Sequence, residues 1–286
     1  MKPLKACQVT IVGLGLMGGS LAGGLRSHCR SVVGVARRRD SIDTALRRKL
    51  IDGGTIDLEE GVGGADVVVL ATPVRVILRQ LREIGPLLPT GSLLLDLGST
   101  KANIVTAMED LPDHVQPLGG HPMCGKETSG IEAADPVIYR GATFILTPLE
   151  RTSDQALELG RELARAVGSH PLVLGAERQD FLVGTVSHLP YLMACAMVAT
   201  ADQRTSPDPA AWRIVAGGYR DTTRVAGSDV TMMTDILLTN QEPVLGAIET
   251  FQEQIDQLRR LLEQGDEEAL RSALEAIRDE RLRMYP

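Results

Sequence analysis

QVTIVGLGLMGGS, residues 8–20, is the stretch that decides the fold. A β-branched run is followed at once by a G-x-G-x-x-G pattern at Gly13, Gly15 and Gly18, and then by a segment of helical composition. In such a turn the first glycine permits the tight bend, the second lets the backbone approach a pyrophosphate, and the third lets helix and strand pack closely. Because the strand and the helix flank the glycines as this motif requires, the sequence predicts a dinucleotide site here.

Residues 7–174 alternate strand-like and helical segments, which predicts a doubly wound Rossmann-type α/β lobe with a parallel sheet. We expect strands at Gln8–Val12, Ser31–Ala36, Asp66–Ala71, Ser92–Leu97, Val115–Leu118, Gly141–Leu146 and Pro171–Leu174. Between them we expect helices at Leu16–Arg26, Ser41–Leu50, Val74–Leu87, Lys101–Asp110 and Thr152–Val167, the last opened by a capping box of Thr152 with Gln155.

Strand signals stop after Gly175, so the second half is expected to be an all-α domain. The chain of 286 residues is long enough to split into two lobes, and we divide it into 1–174, a dinucleotide-binding domain, and 175–286, a helical substrate and dimerisation domain. The predicted helices are Glu177–Asp202, Pro209–Val225, Val230–Leu238, Pro243–Gln264 and Glu267–Met284.

The segment from Phe181 to Val198 is apolar almost all round. This composition suits a helix buried inside the helical lobe and against a second subunit, since one solvated surface would not tolerate it. Because two-fold symmetric pairs are the commonest closed assembly, we expect a homodimer through this domain.

Composition excludes several classes of protein. With 43% hydrophobic and 23% charged residues, the chain is neither disordered nor low-complexity. A formal net charge of −7 and 3% aromatic residues argue against a nucleic-acid partner. The apolar stretches 67–78 and 189–201 are interrupted or too short for a membrane span, and no leader segment is evident. We therefore expect a cytoplasmic protein without a membrane partner.

The four cysteines are far apart and form no C-x-x-C pair. This spacing suggests neither a disulfide framework nor a metal site, so reduced thiols are expected.

The second predicted strand ends at Ala36 and is followed by Arg37 and Arg38. A lobe that binds NAD usually carries a carboxylate there for the ribose diol, whereas guanidinium groups suit the 2′-phosphate of NADP. NADP is therefore expected in preference to NAD, although the arginines could also simply begin a solvated loop. Further cofactor contacts are expected at Leu16, Met17, Thr72 and Pro73.

Two more polar segments follow strands of the same lobe. DLGSTK, residues 96–101, ends a strand and opens a helix, so Ser99 is either a site residue or a helix N-cap. GGHPMCGKETSG, residues 119–130, places His121 after two glycines at a strand end. Because the pKa of an imidazole lies near working pH, His121 suits a base that takes a hydroxyl proton as a hydride departs.

The helical half contributes two candidates. SHLP places His188 beside Pro190, and GGYRDTTR, residues 217–224, ends in Arg224. Arg224 is either a paired structural charge or a rigid fork for a substrate carboxylate.

Taken in order, GLGLMGGS, DLGSTK, HPMCGKETSG, VSHLP and GGYRDTTRVAGSD resemble the prephenate/arogenate dehydrogenase family of tyrosine biosynthesis over nearly the whole chain. The resemblance implies oxidative decarboxylation of a cyclohexadienol by hydride transfer to NADP or NAD. It implies that His121 deprotonates the ring hydroxyl, that Ser99 assists at that hydroxyl and that Arg224 holds a substrate carboxylate. It further implies that His188 contacts substrate and that Glu127 and Asp221 form an ionic network with Arg224.

Two positions depart from the family pattern. Tyr191 stands where many relatives repeat a histidine, and Met233 stands where some have tryptophan. Both departures affect the expected substrate preference rather than the reaction type.

Three alternatives to prephenate dehydrogenase activity stay open. Arogenate dehydrogenase is the nearest alternative, because arogenate differs from prephenate only in carrying an amino acid side chain in place of a keto acid side chain. A β-hydroxyacid dehydrogenase would need a lysine in the helical half, and residues 177–286 contain none. A non-catalytic NADP-binding sensor would need only the glycine turn, so the joint presence of His121, Ser99 and Arg224 counts against it.

Overall fold

The structure, a computed structural model, describes residues 1–206 and 208–284. Its first lobe is built on one eight-stranded sheet with the order β3-β2-β1-β4-β5-β6-β7-β8. The strands are β1 Gln8–Val12, β2 Ser31–Val35, β3 Gly53–Thr55, β4 Val67–Leu70, β5 Leu93–Asp96, β6 Gln116–Pro122, β7 Thr143–Pro148 and β8 His170–Val173. The helices of this lobe are α1 Leu16–Leu25, α2 Arg39–Arg47, α3 Leu58–Val62, α4 Val74–Ile84, α5 Ala102–Glu109 and α6 Asp154–Ala166.

The strand order confirms the doubly wound architecture. β1 lies between β2 and β4, so the direction of winding reverses between β1 and β4, where α/β sheets bind their ligands. Every residue of β4 is buried, and so is every residue of β5, because separate hydrophobic clusters cover the two faces of the sheet.

The far edge of the sheet differs from the prediction. β6 and β7 pair antiparallel, with His121 opposite Ile145, whereas β8 is parallel to β7. An all-parallel sheet was therefore wrong at this edge. The segment between β6 and β7 contains only short 3₁₀ turns, and a parallel return needs a longer crossover, usually an α-helix. The three-residue β3 was also missed, because GGT carries no strand signal.

The predicted capping box of α6 is wrong, and the alternative in which Ser99 is an N-cap is not found. The N-cap of α6 is Ser153, whose hydroxyl accepts from the Ala156 N–H, while Thr152 Oγ1 instead donates to the Pro117 carbonyl at 2.6 Å. Ser99 does not cap α5, which begins at Ala102 and receives no side-chain hydrogen bond from its own N-cap residue.

The helical lobe follows β8 as expected. It contains α7 Ala176–Val183, α8 Leu189–Thr205, α9 Ala210–Arg213, α10 Gly217–Thr223, α11 Val230–Thr239, α12 Gln241–Gln264 and α13 Glu267–Met284. A π-helical turn at Gly184–His188 joins α7 to α8, and the single helix predicted at 209–225 is divided into α9, α10 and a 3₁₀ turn. The last two residues of the predicted domain, Tyr285 and Pro286, lie outside the described residues.

The prediction that the segment from Phe181 to Val198 is buried inside the lobe is wrong for much of the surface of that segment. Phe181 is 64% exposed and Val186 is 67% exposed in the single chain. Sequence pattern alone cannot distinguish the core of a lobe from a face that another molecule covers.

The helical run Ala176–Thr205 is long and apolar enough to cross a membrane by length and composition, with 22% of its most apolar window buried. The sequence pattern predicts one helix at Glu177–Asp202, but only the apolar stretch 189–201 was compared with the length of a membrane span. A single such helix is a weak indication, since core and interface helices of soluble proteins have the same composition.

Candidate active site

The glycine turn has the geometry of a dinucleotide site. Gly13 has a φ of +106°, and a Cβ there would lie 2.7 Å from the Ala71 carbonyl oxygen. A Cβ at Gly18 would collide with the carbonyl of Gly13, so α1 packs onto the strand as closely as backbone allows. A Cβ on Gly15, by contrast, would meet no atom within 4 Å. The turn is thus closed on the protein side and open at Gly15, which suits close approach of a pyrophosphate to the N-terminus of α1.

Neighbouring residues support this turn. The Tyr139 hydroxyl, on a fully buried side chain, donates to the Met17 carbonyl at 3.1 Å, at the first turn of α1 that begins with Leu16. Thr72, at the end of β4, lies beside Gly13, and Pro73 is the N-cap residue of α4.

Ala36 follows the end of β2, and Arg37 and Arg38 are exposed. Neither arginine forms an ion pair within residues 1–206 and 208–284, whereas the next one, Arg39, pairs with Asp43. Two guanidinium groups therefore remain available for an anion next to the ribose position.

His121 lies near the end of β6, at the same edge of the sheet, and is 7% exposed. Two glycines precede it because the backbone is crowded there: a Cβ on Gly120 would lie 2.5 Å from the Asp96 carbonyl oxygen. Burial, assisted by the positive charge of Lys101 and by His188, lowers the pKa of His121 from 6.5 to about 3. The imidazole is therefore neutral at physiological pH, although its pKa lies well below the value near working pH on which the expectation of a base rested.

A buried ion pair lies behind His121. Lys101 Nζ contacts Asp96 Oδ2 and donates to the Gly120 carbonyl at 2.7 Å. Asp96 also accepts from the N–H groups of Gly98 and Gly120, at 2.7 and 3.1 Å. Burial raises the pKa of Asp96 and lowers that of Lys101, and the attraction between the two charges opposes both shifts. This pair ties the end of β5 to β6 and fixes the strand that carries His121.

The first turns of α7 insert two polar residues into this edge, and sequence reasoning missed both. The Asp180 carboxylate accepts from the N–H groups of Lys101 and Ala102, at 2.7 and 2.8 Å, and so caps α5 from the other lobe. Gln179 is completely buried, and its amide donates to the Ser99 carbonyl at 3.3 Å. Because α7 also contains Glu177 and Arg178, the sequence did not set this pair apart; only its burial shows that the two polar groups need partners.

Ser99 is therefore placed by the helical lobe as well as by β5. It is partly exposed at the carboxyl edge of the sheet, in the loop between β5 and α5, and its carbonyl is bonded to Gln179. The predicted grouping of Ser99 and His121 at one edge follows from the neighbouring positions of β5 and β6.

His188 lies at the end of the π turn and is 1% exposed. Asn240 Nδ2 lies 3.0 Å from His188 Nδ1 and also donates to the Asp180 carbonyl at 2.8 Å. Since the amide NH₂ only donates, Nδ1 of His188 accepts and Nε2 carries the hydrogen. Burial lowers the pKa of His188 to about 4, so this histidine is a neutral donor.

Arg224 forms an ion pair with Glu127, in the irregular loop after His121. Both side chains are accessible, Arg224 at 62% and Glu127 at 36%. Asp221 takes part in no ion pair in the described part of the chain, so the expected three-residue network reduces here to the Glu127–Arg224 pair. A guanidinium that is largely exposed can exchange this partner for another carboxylate.

The two departures from the family pattern lie in the helical lobe. Met233 is buried in α11, and Tyr191 is half-buried in α8. The four cysteines are free thiols, as predicted.

The site therefore contains an anion-binding glycine turn, the neutral buried imidazole of His121 and the exposed guanidinium of Arg224. Comparisons with known proteins agree. Residues 21–173 match the family model for the prephenate dehydrogenase nucleotide-binding domain, beginning just after the glycine turn, and residues 175–276 match that for its dimerization domain. The chain belongs to the prephenate dehydrogenase family.

Individual relatives are similar over most of their length. The chain is 33% identical over 277 residues to prephenate dehydrogenase of Bacillus subtilis, covering 96% of this chain and 75% of that protein. The solved prephenate dehydrogenase of Aquifex aeolicus, in complex with hydroxyphenyl propionate and NAD⁺, is 33% identical with a TM-score of 0.91 and covers 99% of this chain and all of that one. Synechocystis arogenate dehydrogenase is 28% identical with a TM-score of 0.83, covering 97% and 99%.

Family membership makes the protein an oxidoreductase with a nucleotide-binding domain and a dimerization domain. The reading as a non-catalytic sensor is thereby set aside.

Proposed function

We propose that this protein oxidises prephenate to 4-hydroxyphenylpyruvate and carbon dioxide, with NADP as the preferred hydride acceptor. The observation that carries the proposal is His121: a neutral, buried imidazole at the sheet edge that also bears the glycine turn. The reaction needs a proton acceptor beside the carbon that loses hydride, and a neutral histidine supplies one at physiological pH.

The chemistry then balances as follows. His121 takes the proton of the ring hydroxyl, and the hydride leaves the carbinol carbon, which becomes a carbonyl. The bond to the ring carboxylate breaks and carbon dioxide leaves; the electron pair passes through the ring to the carbonyl oxygen, which takes a proton to give the phenol. The bound nicotinamide supplies the hydride acceptor.

The remaining residues orient the substrate. Ser99 lies beside the expected hydroxyl position, and His188, with hydrogen on Nε2, donates to substrate. Arg224 exchanges Glu127 for a substrate carboxylate, which a planar guanidinium binds through two parallel hydrogen bonds. Asp221, which forms no ion pair within residues 1–206 and 208–284, supports this entrance.

The NADP preference rests on the unpaired, exposed Arg37 and Arg38 and on the absence of a carboxylate at Ala36. A 2′-phosphate placed between these arginines gains charge-assisted hydrogen bonds that the 2′-hydroxyl of NAD cannot make.

The helical domain, 175–286, forms the homodimer contact in this proposal, beside the dinucleotide-binding domain, 1–174. The exposed side chains of Phe181 and Val186 form the apolar surface that a second copy would cover. Contact with a second copy therefore explains the apolar composition of this helix without insertion into a membrane. Free thiols and a negative net charge are consistent with a cytoplasmic protein that binds small molecules rather than nucleic acid.

The decisive assay measures NADP and NAD reduction separately with prephenate and with arogenate. Prephenate with NADP should give the highest kcat/KM. His121→Asn should lower kcat by about 10²–10⁴, the usual contribution of a positioned base, while His28→Asn, at an exposed histidine, should not. Arogenate as the better substrate would overturn the substrate assignment, and a loss below tenfold for His121→Asn would overturn the base.

A further inference from the structure

Gln179 has no role in the chemistry described above, yet it reaches the centre of the site. It is completely buried in α7, the first helix of the helical lobe. Its amide nitrogen donates to Asp180 Oδ1 at 2.8 Å and to the Ser99 carbonyl at 3.3 Å. Both amide hydrogens are therefore used by acceptors, which fixes the orientation of the amide group.

This orientation leaves one atom to be explained. Gln179 Oε1 is buried without a hydrogen-bond partner in the described residues, and so is Nδ1 of His121. The Gln179 side chain lies close enough to His121 to raise its pKa, against the lowering by burial, Lys101 and His188. Oε1 of Gln179 can only accept a hydrogen bond, whereas Nδ1 of His121 can carry a hydrogen. Both buried atoms are therefore satisfied when Nδ1–H donates to Oε1.

We propose that Gln179 is a positioning residue whose Oε1 accepts a hydrogen bond from Nδ1–H of His121, so that the lone pair of Nε2 faces the substrate hydroxyl. The inference rests on the proposed function for its catalytic meaning. The opposite tautomer would set the lone pair of Nδ1 against that of Oε1 in a buried space, which costs free energy.

A neutral amide differs from the carboxylate that orients histidine in many hydrolases. A carboxylate would stabilise the imidazolium and raise the pKa of His121. The charged and titratable groups around His121 act the other way: Lys101 and His188 both lower its pKa, while Asp96 is occupied by Lys101 and Asp180 by backbone N–H groups. Gln179 thus orients the base without charging it.

The arrangement also makes the base depend on how the two lobes pack. Asp180 holds Gln179 on one side and the first turn of α5 on the other, so α7 cannot shift without moving the acceptor for His121. The helical lobe would therefore control the tautomer of a histidine that belongs to the other lobe.

The direct test is the ring ¹⁵N spectrum of the wild-type protein. The chain has five histidines, and His121→Asn identifies the signals of His121. We expect Nδ1 of His121 to carry the hydrogen across neutral pH. A hydrogen on Nε2 would overturn the proposal, whether or not any variant folds.

The second test is kinetic. Gln179→Leu replaces the amide with an apolar group, which removes the acceptor and also the two amide hydrogen bonds to Asp180 and Ser99. We expect kcat to fall about 10- to 100-fold, as for other partners that orient a reacting histidine, with KM for substrate changed less than threefold, and the ¹⁵N spectrum to show both tautomers. The matched control is Thr239→Val, which removes the hydrogen bond of 2.9 Å between Thr239 and Thr100, another contact between the lobes.

The outcomes separate this inference from the proposed function. Equal losses for Gln179→Leu and Thr239→Val, with one tautomer in both, would show that Gln179 only holds the lobes together. A wild-type protein that oxidises neither prephenate nor arogenate would refute the proposed function, while the tautomer of His121 would still test the hydrogen bond.

Discussion

Replacing Asp180 with alanine should loosen α5 far more than removal of an ordinary helix cap. The Asp180 carboxylate accepts from the N–H groups of Lys101 and Ala102, at 2.7 and 2.8 Å, although it lies 79 and 78 positions away in the sequence. The Lys101 side chain is fully buried, so water cannot easily replace the lost acceptor at its backbone.

The expected magnitude follows from these two bonds. Each buried N–H left without an acceptor costs about 1–3 kcal/mol, which gives roughly 2–6 kcal/mol for the pair. Burial raises the pKa of Asp180, which means that holding its charge in the fold has a cost of its own. Removing that cost offsets part of the loss, so we expect about 3 kcal/mol.

Hydrogen exchange of residues 98–108 measures this locally, without assuming that the two lobes unfold together. A loss of about 3 kcal/mol corresponds to exchange roughly 100-fold faster in the first turn of α5. The matched control is Asp229→Ala at the N-cap of α11, an exposed cap that accepts from the Met232 N–H at 2.8 Å. That change should cost about 1 kcal/mol. Equal effects of the two variants on their own helices would refute the argument that the contact between lobes makes Asp180 special.

Four further outcomes follow from the site and the surface. His121 has a folded-state pKa of about 3 against the ordinary 6.5, so between these values the unfolded chain binds a proton that the folded chain does not, and stability falls as pH falls. From pH 7 to pH 5, His121→Asn should lose about 2 kcal/mol less unfolding free energy than the wild type in urea titrations; equal losses would contradict the buried neutral imidazole. Arg224→Ala should raise KM for substrate, and an unchanged KM would mean that Arg224 is structural. Ala36→Asp combined with Arg37→Ser should reverse the preference for NADP in kcat/KM; a parent protein that already prefers NAD would refute the phosphate site. Phe181→Asp should produce monomers in sedimentation velocity, and a dimer of unchanged stability would place the interface elsewhere.

The sequence by itself determined the parts of this protein that depend on neighbours along the chain. The strand, glycine turn and helix of 8–20 are local, since Gly13 needs its positive φ in any fold that contains this turn. Placing Ser99 and His121 at one edge needed only the rule that parallel strands end on the same side of a sheet. The sequence motifs around His188 and Arg224 also indicated two candidate site residues in the helical half. The pattern did not show which residues these two side chains contact.

Only the tertiary structure decided which distant groups meet. The reversed direction of β7 depends on a segment without a crossover helix, and the exposure of Phe181 depends on what the rest of the lobe leaves uncovered. The contacts of Gln179 and Asp180 with Ser99, Lys101 and Ala102 join residues 78 to 80 positions apart. Hydrogen bonding and burial act through space, so only the packed chain shows which polar residues of a helix are buried and which groups satisfy them.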